Sequence, residues 1–445
     1  MSPSPVTGRR TFVDSDRPLA RFVARPVQQF LHVEAGGGLA LLALTVAALI
    51  WANSPFKASY ESLFHTNVVL QIGNYRLAED FAHWINDGLM VIFFFVVGLE
   101  IKREWVAGEL RDRRAAALPA IAAVGGMIVP AALYLAINPG GEGSRGWGVP
   151  MATDIAFALG VIAVLGRRVP GPLKVFLLTL AIVDDIGAIL VIAIFYAGSI
   201  SFGWLAGGAA VVVAVLGLRR LKVVHPLIYV TLGVALWLFV YESGVHATIA
   251  GVVMGLLTPA KPFQDQLETE AIVDSLENQP DLDAEEVRRV SFLIRTSVPL
   301  TDRLLTLLHP WTSYLIVPLF ALANAGIEIR GDSISSAGPV MAGVLVGLVV
   351  GKTVGVAGAV WLAIRLGIAR LPDGVTWTQL VGAATLAGIG FTVSLFVAGL
   401  AFDVGPVQDD AKIGILLAST IAAVVGSTVL VVADRRRSRR PEDAL

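Results

Sequence analysis

Apolar stretches long enough to cross a lipid bilayer recur along this chain of 445 residues. A helix needs about 20 mostly apolar residues to cross the hydrocarbon core. Only 16% of the residues are charged, against about a quarter in soluble proteins, so the composition indicates an all-α membrane protein. A scan predicts twelve spans, at residues 35–53, 83–101, 116–137, 150–165, 173–196, 201–218, 225–241, 244–259, 308–327, 339–364, 378–402 and 412–433.

The basic residues predict how these spans are oriented. Lys and Arg are enriched in cytoplasmic loops, and with twelve spans most of the 34 basic residues fall on the side of the two termini. Both termini are therefore predicted to be cytoplasmic. The predicted organisation is a cytoplasmic arm (1–34), a single transmembrane domain (35–433) that includes an acidic cytoplasmic loop (260–303), and a basic cytoplasmic tail (434–445).

Two adjacent carboxylates, Asp184 and Asp185, lie inside the apolar stretch 173–196. A carboxylate at the centre of a bilayer costs at least about 2.5 kcal/mol. A buried partner, a proton or a cation usually compensates such a charge. A pair of helix caps is the structural alternative, but apolar residues continue on both sides. The pair therefore favours a protein that moves cations or protons.

Lys352 is also predicted to lie deep inside a span, 339–364. About ten apolar residues on either side make it hard for the ammonium group to reach a membrane surface. A carboxylate on another helix is the expected partner. The candidates are Asp154, Asp184 and Asp185.

Two predicted spans are interrupted by polar residues and by residues that break helices. Pro150, Thr153 and Asp154 interrupt the fourth span, and the segment 386–394, with Gly388 and Gly390, interrupts the eleventh. Such interruptions in the two halves of a chain indicate a substrate site between broken helices of inverted repeats, here spans three to five and ten to twelve. Fixed charges such as those of Asp154 and Lys352 would neutralise the exposed helix ends. For Asp154 two roles stay open, compensation of these ends and ligation of an ion.

These residues belong to longer motifs that are spread along the chain. The motifs are Trp84–Met90, Gly98–Glu104, Ala152–Gly160, Ala181–Ile189, Ser243–Thr248, His309–Trp311, Pro318–Gly326, Gly351–Lys352 and Gly388–Ser394. Together they resemble the motifs of the NhaA-type bacterial Na⁺/H⁺ antiporters. The resemblance covers nearly the whole chain, from about residue 30 to 433.

The resemblance implies twelve helices, with spans four and eleven broken and crossing near the middle of the bacterial inner membrane. It implies electrogenic, pH-regulated exchange of intracellular Na⁺ or Li⁺ for external H⁺, with no enzymatic activity and no cofactor. By role, the implied site residues are Asp184 and Asp185 for binding Na⁺ and protons, Lys352 for a salt bridge to Asp184, Asp154 for charge compensation, Thr153, Gly388 and Gly390 at the helix crossing, and Glu100, Arg103, Glu104 and His246 for the pH response.

The segment 68–78 predicts a β-hairpin, because a Gly-Asn pair separates two strand-like runs. The resemblance places this hairpin in the periplasm and implies that it forms a homodimer contact. A net charge of −1 argues against a nucleic-acid partner, which would require a basic face. The expected partners are therefore the transported ions, the lipid bilayer and a second copy of the chain.

The sequence also departs from the family pattern. The loop 260–303 is longer and more acidic than usual and contains a predicted short helix at 282–297. The segment 304–308 is apolar where well-known members carry a charged stretch that senses pH. Two alternative functions fit the sequence less well. An intramembrane aspartyl protease needs its two aspartates on separate helices, whereas Asp184 and Asp185 are adjacent. A proton-driven symporter of small solutes is favoured by the composition alone.

Overall fold

The computed structural model describes residues 34–73, 75–221, 223, 225–262, 297–328 and 338–438. These residues are mostly helical, as predicted. The predicted N-terminal arm, most of the acidic loop with nearly all of the predicted helix 282–297, and the end of the basic tail lie outside the described residues.

The helices are α1 Glu34–Ala52, α2 Lys57–Phe64, α3 Phe81–Val106, α4 Arg113–Ile137, α5 Glu142–Met151 (a 3₁₀-helix), α6 Ile155–Leu165, α7 Gly171–Phe195, α8 Phe202–Arg220, α9 Pro226–Glu242, α10 Thr248–Leu257, α11 Leu300–Asn324, α12 Pro339–Arg365, α13 Trp377–Leu386, α14 Phe391–Ala401 and α15 Pro406–Ser438.

Seven of these helices are long and apolar enough to cross a membrane. Three bent pairs of helices could each form one further span, which would bring the number to ten. The bends measure 116° between α1 and α2, 41° between α5 and α6, and 46° between α13 and α14. The helices α9 and α10 are apolar but shorter. A membrane protein with many spans is confirmed. The count of twelve requires α9 and α10 to cross as well, and it stays a prediction.

One antiparallel sheet of two strands follows α2. Strand β1 (Asn67–Ile72) pairs with β2 (Tyr75–Asp80), and the last pair before the turn is Ile72 with Tyr75. Gly73 opens the two-residue turn with a φ of +62°, a conformation that glycine adopts without steric cost. The predicted hairpin is confirmed and is slightly longer at both ends than the segment 68–78.

Asp80 connects the hairpin to α3. Its carboxylate accepts hydrogen bonds from the backbone N–H of His83, at 2.7 Å, and from the His83 ring, at 2.9 Å. Burial raises the pKa of Asp80, but these hydrogen bonds outweigh it and hold the pKa below its usual value. An ionised carboxylate at a helix N-terminus is favourable because it compensates the partial positive charge there.

Glycines bring α3 and α10 into backbone contact. A Cβ atom at Gly255 would lie 2.6 Å from the carbonyl oxygen of Phe95, and one at Gly98 would lie 2.7 Å from that of Val252. A Cβ at Gly251 would meet the carbonyl oxygen of Val91. We call Gly98, Gly251 and Gly255 the glycine seam. Small residues of this kind allow close helix packing in a membrane.

Helix α7 lies in the interior of the bundle. It contacts α3, α4, α5, α6 and α13, and its buried face includes Leu177, Leu180 and Ala181. Asp184 and Asp185 lie near the middle of this helix, so the packing of α7 determines what surrounds the carboxylates.

Candidate ion-binding site

The two interruptions predicted from the sequence meet each other in the structure. Residues 152–154 connect α5 to α6, and residues 387–390 connect α13 to α14. The Thr153 hydroxyl donates to the carbonyl of Ala387 at 2.8 Å, and the Asp154 N–H donates to the carbonyl of Ile389 at 2.7 Å. The two interrupted helix pairs therefore cross at their breaks, and each break satisfies backbone groups that the other leaves free.

Gly388 and Gly390 allow this crossing to pack against α12. A Cβ atom at Gly388 would collide with the carbonyl oxygen of Leu348, and one at Gly390 would lie 2.9 Å from Cδ2 of Leu348 and closer still to Oγ of Ser394. The Ser394 hydroxyl donates to the carbonyl of Val149 at 2.8 Å. No larger residue fits at either glycine without moving α12 or α14.

Asp154 lies at the N-termini of both α6 and α14. Its Oδ1 accepts from the N–H of Phe157 at 2.9 Å, and its Oδ2 accepts from the N–H of Thr392 at 3.0 Å and from the Thr392 hydroxyl. The side chain is only 2% exposed. A helix N-terminus carries a partial positive charge, so one carboxylate faces two of them. This geometry favours the compensating role of Asp154, which stays a prediction.

Lys352 contacts Asp184, one of its three candidate partners. Its Nζ lies 2.7 Å from Oδ2 of Asp184, and both side chains are 0% exposed. The other oxygen, Oδ1 of Asp184, is buried and accepts no hydrogen bond from the described residues, and Thr153 lies beside this carboxylate. A π-helical segment, Gly347–Gly351, comes directly before Lys352. Segments of this kind are frequent at functional sites.

Asp185 differs from its neighbour in having no partner among the residues that the structure describes. Consecutive residues of an α-helix point about 100° apart, and within the described part of the chain the Asp185 carboxylate makes neither a hydrogen bond nor an ion pair. It is 8% exposed. Its surroundings include three carboxylates, Asp184, Glu100 and Asp154, and the ammonium of Lys352, which is paired with Asp184. A buried carboxylate among other carboxylates is an environment that attracts a cation or a proton.

The four candidates for a pH response lie in two places. Glu100, Arg103 and Glu104 lie near the C-terminal end of α3, where Nη2 of Arg103 is 3.6 Å from Oε1 of Glu104 and Nε2 of His309 is 3.9 Å from Oε1 of Glu100. His246 instead lies near Asp87, about 20 Å back along α3 at 1.5 Å per residue. The predicted spans 83–101 and 244–259 already imply this separation, because with both termini on one side Glu100 and His246 fall at opposite ends of their spans.

Sequence reasoning did not single out two further polar residues near the site. Thr392 holds Asp154 through its N–H and its hydroxyl. The sequence could have indicated Thr392, because it is a polar residue in an apolar span, two positions after the break at Gly388 and Gly390. Tyr196 ends α7, and its hydroxyl bonds to backbone atoms at residues 145 and 148. A tyrosine at the end of an apolar span is so common that the sequence alone gives it no special weight.

The chain is similar to known proteins along most of its length. The family model described as Na⁺/H⁺ antiporter 1 matches residues 28–430. The chain belongs to this family. Its relatives include the Na⁺/H⁺ antiporter NhaA 2 of Sorangium cellulosum, 48% identical over 93% of this chain and 91% of that protein. The NhaA antiporter of Rhodopirellula baltica is 48% identical over 93% of this chain and 95% of that protein. The NhaA antiporter of Oleidesulfovibrio alaskensis is 45% identical over 96% of this chain and 98% of that protein.

Proposed function

We propose that the protein exchanges Na⁺ for H⁺ across the bacterial inner membrane and that Asp185 is the group for which the two ions compete. The observation that carries this proposal is the buried carboxylate of Asp185, which has no partner among the described residues, beside the ion pair of Asp184 and Lys352. Membership of the Na⁺/H⁺ antiporter family supports it. A chain with these features acts as a transporter and not as an enzyme.

The proposed mechanism follows from the needs of the buried charges. Na⁺ prefers hard oxygen ligands, which the carboxylates of Asp185 and Asp184 and the backbone carbonyls at the helix break supply. Without sodium, the Asp185 carboxylate needs a proton, because an uncompensated charge in this interior is costly. Binding of one ion therefore excludes the other. If the site faces the two sides of the membrane alternately, this competition produces antiport.

Lys352 determines, in this proposal, how much net charge moves in each exchange cycle. Sodium that binds to Asp184 weakens the ion pair with Lys352, because the carboxylate then shares its negative charge. Lys352 then releases a proton, and Asp185 releases another. Two protons would move against one Na⁺ or Li⁺, so a membrane potential that is negative inside would drive sodium out. In the alternative mechanism the two aspartates carry both protons, and Lys352 only balances charge.

The proposed transporter also has a defined topology, a dimer contact and residues that respond to pH. The chain crosses the membrane twelve times with both termini in the cytoplasm, and α4–α7 and α12–α15 form inverted repeats around the crossing. The hairpin Asn67–Asp80 lies in the periplasm and joins two copies into a homodimer. Glu100, Arg103 and Glu104 adjust activity to pH from the cytoplasmic side, and His246 acts from the periplasmic side.

The test is sodium-dependent proton movement in inverted membrane vesicles or in proteoliposomes that contain the purified protein. Addition of Na⁺ to energised inverted vesicles should dissipate the pH gradient, and Li⁺ should act in the same way. A symporter would need a small solute for proton movement, and a protease would cleave a membrane peptide without sodium. Either of these results, with no response to Na⁺ or Li⁺, would refute antiport.

A further inference from the structure

Tyr196 connects α7, the helix that carries Asp184 and Asp185, to α5, the first half of a broken helix pair. It follows the last residue of α7, about three turns beyond Asp185. Its hydroxyl accepts from the N–H of Gly148 at 3.0 Å and donates to the carbonyl of Arg145 at 2.8 Å. Both backbone groups belong to α5. The ring of Trp147 stacks against the Tyr196 ring, with centroids 6.4 Å apart.

The backbone around Tyr196 is attached to a third segment. The Tyr196 carbonyl accepts from Nε2 of His246 at 2.6 Å. Beyond it, the N–H groups of Gly198 and Ser201 donate to the carbonyls of Gly244 and Ser243 at 3.0 and 2.9 Å. The end of α7 is thereby held against the turn between α9 and α10. Tyr196 thus has a fixed position from which its hydroxyl can orient α5.

Helix α5 leads directly into the break at the candidate site. Its last residue, Met151, precedes the segment 152–154, in which Thr153 lies beside Asp184. Helix α5 and the break that follows it therefore meet α7 and Tyr196 at two separated points, at Thr153 near the carboxylates and at Gly148 near the end of α7. Helix α5 also packs on α4 and α14, so the contact at Gly148 adds to this packing and restrains the position of α5 along α7.

We propose that Tyr196 is a positioning residue that fixes α5 to α7 and so sets the distance between the backbone oxygens of the break and the carboxylate of Asp185. This proposal rests on the proposed exchange of Na⁺ and H⁺. It also accounts for glycine at position 148. A Cβ there would lie 2.6 Å from the Tyr196 hydroxyl oxygen and 3.0 Å from Cε2 of its ring, so a side chain would push the tyrosine away from the backbone.

The first test is Tyr196→Phe, which keeps the ring and its stacking on Trp147 but removes both hydrogen bonds. Loss of one net hydrogen bond corresponds to a change of about fivefold and loss of two to about 30-fold, so the apparent KM for Na⁺ should rise by a factor of about 5 to 30. The maximal rate should stay within about twofold of the wild type. Tyr229→Phe is the matched control, because the Tyr229 hydroxyl donates to a backbone carbonyl, that of Val223 at 2.7 Å, and should leave the KM unchanged.

Gly148→Ala provides a second route to the same defect without changing the tyrosine. It should raise the KM for Na⁺, and the double variant Gly148→Ala/Tyr196→Phe should be no worse than the more affected single variant, since both changes break one contact. Melting temperature in detergent and the amount of inserted protein check the folding of each variant. If Tyr196→Phe does not fold, Gly148→Ala carries the test alone.

The possible results separate this inference from the proposed function. A wild-type protein that does not exchange Na⁺ for H⁺ would remove the proposed function itself. If the wild type exchanges but the Tyr196→Phe and Gly148→Ala variants keep its KM, the positioning role is wrong. A fall in the amount of protein or in the maximal rate with an unchanged KM would also overturn it, because this is what a residue needed only for stability would give.

Discussion

Nζ of Lys352 lies 2.7 Å from Oδ2 of Asp184, and neither side chain is reached by solvent. Removal of one partner of a buried ion pair leaves an uncompensated charge and costs about 3–5 kcal/mol, whereas replacement of both partners by uncharged residues is often tolerated. The contact therefore makes the contributions of these two residues to stability depend on each other.

A Lys352→Gln variant should exchange one proton for each Na⁺ and should ignore the membrane potential, if Lys352 carries one of the two protons. The measurement is the rate of exchange in proteoliposomes with and without an imposed potassium diffusion potential. A variant that still responds to the potential would leave Lys352 as a structural counter-charge. The double variant Asp184→Asn/Lys352→Gln should melt at a higher temperature than Lys352→Gln alone, because position 184 then no longer carries a buried charge that has lost its partner.

An Asp185→Asn variant should lose exchange completely and remain folded. The amide has nearly the shape of the carboxylate but neither releases a proton nor attracts Na⁺ as a charge does. Asp373→Asn is the control, since Asp373 is exposed in a loop and should behave like the wild type. Substantial sodium-driven proton movement by the Asp185→Asn protein would mean that another group is the shared ligand.

Asp154→Ala should raise the KM for Na⁺ or shift the pH profile, without abolishing sodium binding. The change leaves the N–H groups of Phe157 and Thr392 buried without an acceptor, and each hydrogen bond to a charged group contributes about 1.5–3 kcal/mol. Thr392→Val is the milder comparison, because it removes only the hydroxyl of Thr392 and keeps its N–H on the carboxylate. Isothermal titration with Na⁺ decides the role, since complete loss of binding in Asp154→Ala would make this residue an ion ligand.

Substitutions in the glycine seam should destabilise the protein strongly. Gly255→Val would force a side chain against the Phe95 carbonyl and separate α3 from α10. Gly217→Ala is the matched control, because a Cβ at Gly217 in α8 meets nothing within 4 Å, and alanine is favoured over glycine in a helix by about 1 kcal/mol. Thermal melting in detergent should show a clear loss for Gly255→Val and none for Gly217→Ala. Equal melting temperatures would show that the seam tolerates larger residues.

Deletion of residues 265–286 should leave exchange at the optimal pH nearly intact. These residues lie outside the described part of the chain, and their many Asp and Glu side chains are typical of a solvated segment. The assay is exchange in inverted vesicles across a range of pH. If a correctly inserted deletion variant lost exchange at every pH, the loop would be part of the transport machinery.

Much of the candidate site could be predicted from the sequence because the cost of a charge in hydrocarbon is a local property. Asp184, Asp185 and Lys352 each stand out within an apolar stretch, and the two interruptions stand out by their glycine, proline and polar residues. The hairpin was recognisable for a similar reason, since Gly73 and Asn74 separate two short strand-like runs.

The remaining features depend on how the helices pack, which no local pattern specifies. Lys352 had three candidate partners, and the rotation of α12 against α7 selects Asp184. Helix α2 was missed because its eight residues include polar ones and are too few to form a span. The predicted spans already place His246 and Glu100 at opposite ends of their helices, but the position of His246 near Asp87 depends on the packing around α3.

The bonds between Asp154 and Thr392 join residues 238 positions apart. In evolutionary terms, a change of Asp154 in one half of the chain affects the other half, because the carboxylate satisfies an amide and a hydroxyl there. Chimeras that combine the N-terminal half of one relative with the C-terminal half of another should therefore bind Na⁺ more weakly when position 154 lacks the carboxylate, as expected for Asp154→Ala.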